Sequence, residues 1–231
     1  DAIGSSVAFA HFLKSYGKQC LILLPDLPAG NLSSFLEGIP YIVYDEFQEN
    51  ENEFDLMMCL DYNHTHRVGE NMEAVVANWS IPKVMIDHHP NPTEFCNITI
   101  SRPEVCSTAQ LLFEVLEECK LSHHLNKNAS EAIYTGIMTD TGSFRFPSVS
   151  SKTHDVLKKL LENGVEAHVI HEKVFDESSK EKVLIRAYAI SNKFHQIPNT
   201  PIAYISLTQE ELLRFNFKKG DTEGLVNVPL S

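Results

Sequence analysis

Val84-Met85-Ile86-Asp87-His88-His89-Pro90 is a short apolar run that ends abruptly in one carboxylate and two imidazoles, after which a proline stops the strand. The run is too short for a buried helix and is bounded by breakers, so it predicts an inner strand of a parallel sheet. In open α/β sheets, ligands gather beyond the carboxyl ends of such strands. This strand delivers there the side chains that transition metals favour.

The same pattern recurs upstream, where the apolar run Phe54 to Leu60 ends in Asp61. Gln19 to Pro25 and Tyr41 to Tyr44 also read as strands, and Ile98 to Ile100 as a short one. Helices alternate with them. Ile3, Val7, Ala10 and Leu13 recur at helical spacing before Gly17, and further helices are expected at Leu32 to Leu36 and at about Glu70 to Asn78. Cys106 or Ser107 opens a helix with Ala109, Leu112, Phe113 and Leu116 on one face. In the helix from Asn128 to Thr141, Ala132, Ile133, Gly136 and Ile137 leave room for close packing. Helices are also expected from Ser150 or Ser151 to Asn163, over Val165 to Val174 and over Lys180 to Lys193. Ile197 to Pro201 is a linker or turn, followed by a strand at Ala203 to Ile205 and a short helix from Gln209 to Phe215. This alternation predicts an α/β fold, a parallel sheet flanked by helices. It divides into a main domain over 1–180, a helical linker over 181–197 and the beginning of a smaller α/β domain over 198–231.

Composition narrows the function classes. The chain has 231 residues, 43% of them apolar, as in a soluble globular protein. No apolar run approaches the length of a membrane span, so no membrane partner is expected. A net charge of −12 argues against bulk binding of a nucleic-acid duplex, which needs basic surface to replace counterions. It is compatible with a small anionic substrate held by metals and a few arginines. The cysteines Cys20, Cys59, Cys96, Cys106 and Cys119 are odd in number and form no C-x-x-C pair, which reads as free thiols in a reducing cytoplasm. The sequence opens on Asp1 rather than Met, so its natural start and any targeting segment are expected upstream.

Several polar residues have two readings. Asp1 directly precedes a helix and is either an N-cap or a carboxylate at a strand-to-helix junction, aimed into a site. Ser107 is an N-cap or part of a phosphate-binding helix start, with Arg102 just before it. Asp140 sits at a helix C-terminus, where an acid opposes the macrodipole, so a role in a site is favoured over one in stability. Asp1, Asp61, Asp87, His88, His89 and Asp140 together supply carboxylate and imidazole without thiolate, which suits a hard or borderline divalent ion such as Mn²⁺ better than structural zinc. Carboxylates crowded in one place also need cations to remain ionised. His64 and His66 read as surface residues or as groups that support the site from behind its ligands, His123 and His124 read as solvated, and His154, His168, His171 and His195 carry no assigned role.

At this point the sequence resembles the DHH phosphoesterases, named for the triplet seen at Asp87-His88-His89. Asp1 to Ser6 (Asp-Ala-Ile-Gly-Ser-Ser) is similar to the end of the family's first motif, and Asp61 with Arg67 and Gly69 to its second. Ile86 to Asn91 is similar to the third motif and Gly136 to Phe146, containing Thr139-Asp140-Thr141-Gly142, to the fourth. Ser107-Thr108-Ala109 is similar to a recurrent helix start. Asp-His-His-Pro-Asn, Thr-Asp-Thr-Gly-Ser-Phe-Arg-Phe and the closing Glu-Gly-Leu-Val-Asn look most like the branch that degrades very short RNA and dephosphorylates 3′-phosphoadenosine 5′-phosphate. That branch carries a DHH-associated substrate-binding domain, whose beginning 198–231 would be.

The resemblance implies two Mn²⁺ ions per site, with Mg²⁺ or Co²⁺ as substitutes. Asp1, Asp61, His88 and Asp140 would hold one metal, and Asp61 would bridge to the second. His89 would contact the scissile phosphate or protonate the leaving oxygen, while Asp87 would orient an imidazole. Arg145, Arg102 and Ser107 are candidate contacts to substrate phosphate. Substrates would be short RNA and nucleotides bearing a 3′-phosphate, and a homodimer is compatible with the resemblance. The rival readings are a cyclic-dinucleotide phosphodiesterase or a pyrophosphatase of the same family, and a nucleotide-binding module without turnover.

Overall fold

The computed structural model of the chain describes residues 1–28, 30–176, 179–218, 220–222 and 224–230. Glu223, the first residue of the closing Glu-Gly-Leu-Val-Asn stretch, lies outside the described residues. In chain order the elements are α1 (Ala2–Ser15), β1 (Ile22–Leu24), α2 (Gly30–Ser33), β2 (Tyr41–Val43), β3 (Met57–Leu60), α3 (Glu70–Asn78), β4 (Lys83–Asp87), β5 (Ile98–Ser101), α4 (Thr108–Glu118), α5 (Lys127–Asp140), α6 (Ser151–Glu162), α7 (Ala167–His171), α8 (Lys180–Lys193), β6 (Phe194–Gln196), β7 (Ala203–Ile205) and α9 (Gln209–Arg214).

The Val84 to Asp87 run is the middle strand of a parallel sheet ordered β3-β4-β5. Cys59 of β3 stands beside Met85 of β4, and both side chains are fully buried. Strands β1 and β2 form a second parallel pair. With helices flanking parallel strands, the fold is of the α/β class. On one side Val68, Met72 and Val76 form an apolar cluster against which Leu23, Tyr44, Met57, Tyr62 and Phe95 pack.

The core is deepest where α1, α4 and α5 meet. Val7, Ala8, Leu111, Leu112, Ile133 and Ile137 are buried almost completely. Glycines permit this closeness. A Cβ on Gly4 would lie 2.7 Å from the Ala132 carbonyl oxygen and 2.8 Å from Gly136. A Cβ on Gly136 would lie 2.5 Å from that of Ala109 and 3.1 Å from a carboxylate oxygen of Asp1. The small residues expected to let α5 pack closely therefore do so against two helices at once. The N-terminus of α1, the N-terminus of α4 and the last turns of α5 are drawn to one place.

Elsewhere the boundaries shift. The helix expected over Val165 to Val174 covers Ala167–His171 and then widens into a π-helical turn over Glu172–Asp176. Phe194–Gln196, which carries no clear strand pattern in the sequence, pairs antiparallel with β7, and the expected turn at Ile197 to Pro201 joins the two. The chain divides into two compact units, one of residues 1–28 and 32–170, the other of residues 29–31 and 171–231. In the second unit Glu211 of α9 accepts from Tyr188 at 2.5 Å and pairs with Lys193 at 2.5 Å, both on α8. Thr208 and Glu211 form a capping box at the start of α9.

Overpacking of this kind typically costs about 1–3 kcal/mol. Gly136→Ala is therefore expected to lower unfolding free energy by about that amount. Chemical denaturation checks it, and an unchanged midpoint would show that the α1, α4 and α5 junction is looser than described.

Candidate metal centre

Each side chain of the site is aimed by the element that ends beside it. Asp1 occupies the N-cap position of α1 but makes no side-chain cap bond to its own helix. Its carboxylate accepts instead from the backbone N–H of Thr108 at 2.7 Å and of Ala109 at 3.0 Å, the first turn of α4. A helix N-terminus presents unsatisfied N–H groups and a positive dipole end, and here it binds an anion supplied by a different helix.

Asp61 follows β3 directly and has φ of 67°. An L residue rarely adopts this left-handed conformation, and such strain gathers where geometry is over-determined. The Asp61 N–H donates to the Ile86 carbonyl at 3.2 Å, and its carboxylate accepts from the Thr108 hydroxyl at 2.9 Å. The chain thus turns sharply at the end of β3 and points the carboxylate at the end of β4.

Asp87 is fully buried at the end of β4. Its two oxygens accept from the His89 backbone N–H at 2.7 Å and from His89 Nδ1 at 2.8 Å. A carboxylate oxygen here accepts, so Nδ1 of His89 carries the proton. His89 Nε2 lies 3.1 Å from a guanidinium nitrogen of Arg67. Arginine only donates, so this nitrogen offers its lone pair.

His88 Nδ1 lies 3.2 Å from the Val105 carbonyl, which can only accept, so Nδ1 carries a proton. Nε2 faces three carboxylate oxygens: Asp140 at 3.4 Å, Asp1 at 3.7 Å and Asp61 at 3.8 Å. Carboxylates gathered around one imidazole repel one another, and a divalent cation is a group that offsets this. Two sets of ligand atoms, from Asp1, His88 and Asp140 and from Asp61, His88 and His89, lie within 4.8 Å of one another. Oxygen with imidazole nitrogen suits Mn²⁺ or a similar ion. By donor chemistry, these residues fit a metal centre.

Asp140, at the last residue of α5, has its carboxyl raised above the ordinary carboxylate range, chiefly by burial, with nearby His88 opposing the shift. Beyond it the chain enters three successive left-handed residues, Gly142, Ser143 and Phe144. Arg145 then turns back, its Nε donating to the Gly142 carbonyl at 2.7 Å.

The residues expected as phosphate contacts, Arg102 and Ser107, are engaged with other partners. Ser107 is fully buried, and its hydroxyl caps α4 by accepting from Gln110 N–H at 3.0 Å. At this helix start the groups that reach the site are the Thr108 hydroxyl and the Thr108 and Ala109 N–H groups. The Arg102 guanidinium holds Glu118 in a two-point contact at 2.8 and 2.9 Å, with Glu114 at 3.6 Å. Glu118 ends α4, whose first turn meets Asp1, and ten residues of helix place it about 15 Å from that turn. Arg102 therefore points away from the cluster. Two residues that touch the site were not singled out from the sequence. Thr108 follows the serine that looked like the active member of the helix start, and Arg67 stood only as a motif position.

An acidic and imidazole cluster at the carboxyl ends of parallel strands defines the class, an α/β domain with a candidate metal centre. The N-terminal domain of the DHH family matches residues 1–137, and the chain belongs to this family of phosphoesterases. It is 23% identical over 229 residues to a Streptococcus mutans protein named probable bifunctional oligoribonuclease and PAP phosphatase NrnA, covering 99% of this chain and 69% of that protein. It is 25% identical over 223 residues to the Bacillus subtilis cyclic-di-AMP phosphodiesterase GdpP, covering 91% of this chain and 33% of that one. The crystal structure of an exopolyphosphatase-related protein from Bacteroides fragilis superimposes with a TM-score of 0.91 at 38% identity, covering 100% of this chain and 68% of that one. Among the described residues, no helix is long and apolar enough to cross a membrane.

The raised Asp140 carboxyl has a signed consequence. Folding favours its protonated form, so the stability it contributes is present below its unfolded pKa and is lost as pH rises through its folded pKa. Without metal, Asp140→Asn should therefore raise the melting temperature at neutral pH, and the gain should shrink as pH falls into the carboxylate range. With Mn²⁺ the sign should reverse, because the cation stabilises the charged form. Melting curves at two pH values with and without Mn²⁺ check this.

Proposed function

We propose that the chain is the catalytic portion of a metal-dependent phosphoesterase that hydrolyses short oligoribonucleotides to mononucleotides and 3′-phosphoadenosine 5′-phosphate to AMP. The observation that carries the reading is the convergence of the Asp1, Asp61 and Asp140 carboxylates on Nε2 of His88. The names of relatives aligned over nearly the whole chain support the substrate class.

In this reading Asp1, Asp61, His88 and Asp140 would hold one divalent ion, and Asp61 would also serve a second. Mn²⁺ bound there would supply Lewis-acid stabilisation of charge on the phosphoryl oxygens and activate water near neutral pH. The chain's own residues orient the reaction. Val105 fixes the His88 tautomer through its carbonyl. Asp87 does the same for His89 and holds its ring beside Asp61, whose carboxylate lies 4.0 Å from Nδ1. His89 faces the scissile phosphate, where its Nε2 would take a proton from the attacking water and return it to the leaving oxygen. Residues 181–197 lead into 198–231, which we assign to the beginning of a substrate-binding domain. A cytoplasmic location and a homodimer belong to the same reading. The similarity to a cyclic-di-AMP phosphodiesterase keeps cyclic dinucleotides as the second substrate class.

The test uses the complete protein with Mn²⁺, a ribodinucleotide, 3′-phosphoadenosine 5′-phosphate and cyclic di-AMP as separate substrates. Turnover of the first two is expected, with loss of about 10³-fold or more in Asp61→Ala and His88→Ala. Asp87→Asn, which acts through His89, should cost about 10–100-fold. Equal turnover in the Asp61 and His88 variants would overturn the reading, and turnover of cyclic di-AMP alone would move it to the second class.

A further inference from the structure

The acidic cluster attracts cations, yet the substrate of the proposed reaction is an anion, so the site also needs a group that receives phosphoryl oxygens. Arg145 bonds back to its own turn, and Arg102 is committed to Glu118 and Glu114. Arg67 is the guanidinium that touches the cluster, through the 3.1 Å contact to His89 Nε2. Its side chain is exposed, and among the described residues this is the one hydrogen bond made by its side chain, out of five N–H donors.

The contact is built rather than incidental. Arg67 lies in a 3₁₀ turn, Thr65–Val68, held from below by Val68, which is 5% exposed in the cluster with Met72 and Val76. Thr65 donates to Glu73 of α3 at 2.6 Å, and Gly69, at φ of 87°, turns the chain into that helix. The turn is also stitched to the loop that carries His89. Buried Asn63 donates through Nδ2 to the Pro90 carbonyl at 2.8 Å, and its own carbonyl accepts from the Thr93 N–H at 2.9 Å and hydroxyl at 2.8 Å. Tyr62 stacks on Phe95 at 6.0 Å with the rings 13° apart. The loops after β3 and β4 are therefore tied together, and they present a guanidinium and an imidazole side by side.

We propose that Arg67, paired with His89, is the phosphate-binding residue of this site: its planar fork takes the non-bridging oxygens of the substrate phosphoryl group on the side away from the Asp1, Asp61 and Asp140 carboxylates. Guanidinium matches a phosphate in two-point fashion where an ammonium does not. Asn63 is the positioning residue that keeps the two loops in register. The inference rests on the phosphoesterase reading for the identity of the anion alone.

The test compares wild type, Arg67→Ala and Arg67→Lys in the complete protein, with Mn²⁺ present. Calorimetry measures binding of inorganic phosphate, and a parallel titration measures Mn²⁺ itself. Phosphate affinity should fall about tenfold or more in Arg67→Ala, with Mn²⁺ affinity unchanged. Arg67→Lys should recover only part of it. Added guanidinium should restore part of the lost affinity in Arg67→Ala, and part of the lost kcat/KM on a ribodinucleotide. Phosphate affinity within twofold of wild type in Arg67→Ala, absence of phosphate binding in wild type, or a loss matched by weaker Mn²⁺ binding and not rescued by guanidinium would each overturn the inference. Failure of nucleotide hydrolysis in wild type with phosphate binding dependent on Arg67 would overturn the proposed substrates and leave the assignment of Arg67 standing.

Discussion

Three carboxylate oxygens, from Asp1, Asp61 and Asp140, brought to 3.4–3.8 Å from His88 Nε2 form the constraint on which the rest of the structure depends. Such a cluster is unfavourable on its own, and burial sharpens the repulsion by removing the water that screens it. The fold offsets part of this locally. The Asp1 charge rests on the N-terminal N–H groups of α4, and Asp61 takes the Thr108 hydroxyl. Among the described residues no such donor meets Asp140, which lies at the disfavoured end of its helix, and burial pushes its carboxyl upward. The balance is what a divalent cation completes.

Close helix packing makes this geometry available. Asp1 reaches α4 because Gly136 leaves space where a Cβ would press on Ala109 and on the Asp1 carboxylate. The acidic cluster and the α1, α4 and α5 junction are thus one construction. Glycine in the middle of α5, which costs helix propensity, serves the approach of two neighbouring elements. The same trade is visible at Asp61, where a left-handed backbone is kept so that its carboxylate meets β4.

Much of this was legible in the residues. The abrupt change from apolar to ionisable at Leu60-Asp61 and Ile86-Asp87 marked two strand ends, and the structure pairs those strands in parallel with β4 in the middle. The mismatch of Asp140 with its helix end pointed to a site. Arg102 misled because nearness in sequence to a helix start says nothing of where a long side chain goes, and α4 carries Glu114 and Glu118 along its side. Of the two readings of Ser107, the N-cap holds: its hydroxyl accepts from Gln110 N–H of its own helix, and the next residue, Thr108, faces the cluster. Arg67 was hidden because its partner is 22 residues away, on another loop.

By itself the sequence determined the strand and helix alternation, the DHH resemblance and the supply of carboxylates and imidazoles at element ends, because periodicity and breaker residues act over a few positions and need no distant partner. The tertiary structure alone decided which groups meet. It turned Asp1 from a cap of its own helix into an anion on another, set Nε2 of His88 before three carboxylates, turned Arg102 to Glu118 and brought Arg67 to His89. These outcomes depend on loop crossings and on contacts between residues far apart in the chain, such as Ala109 N–H to Asp1 across 108 residues, which no local pattern encodes.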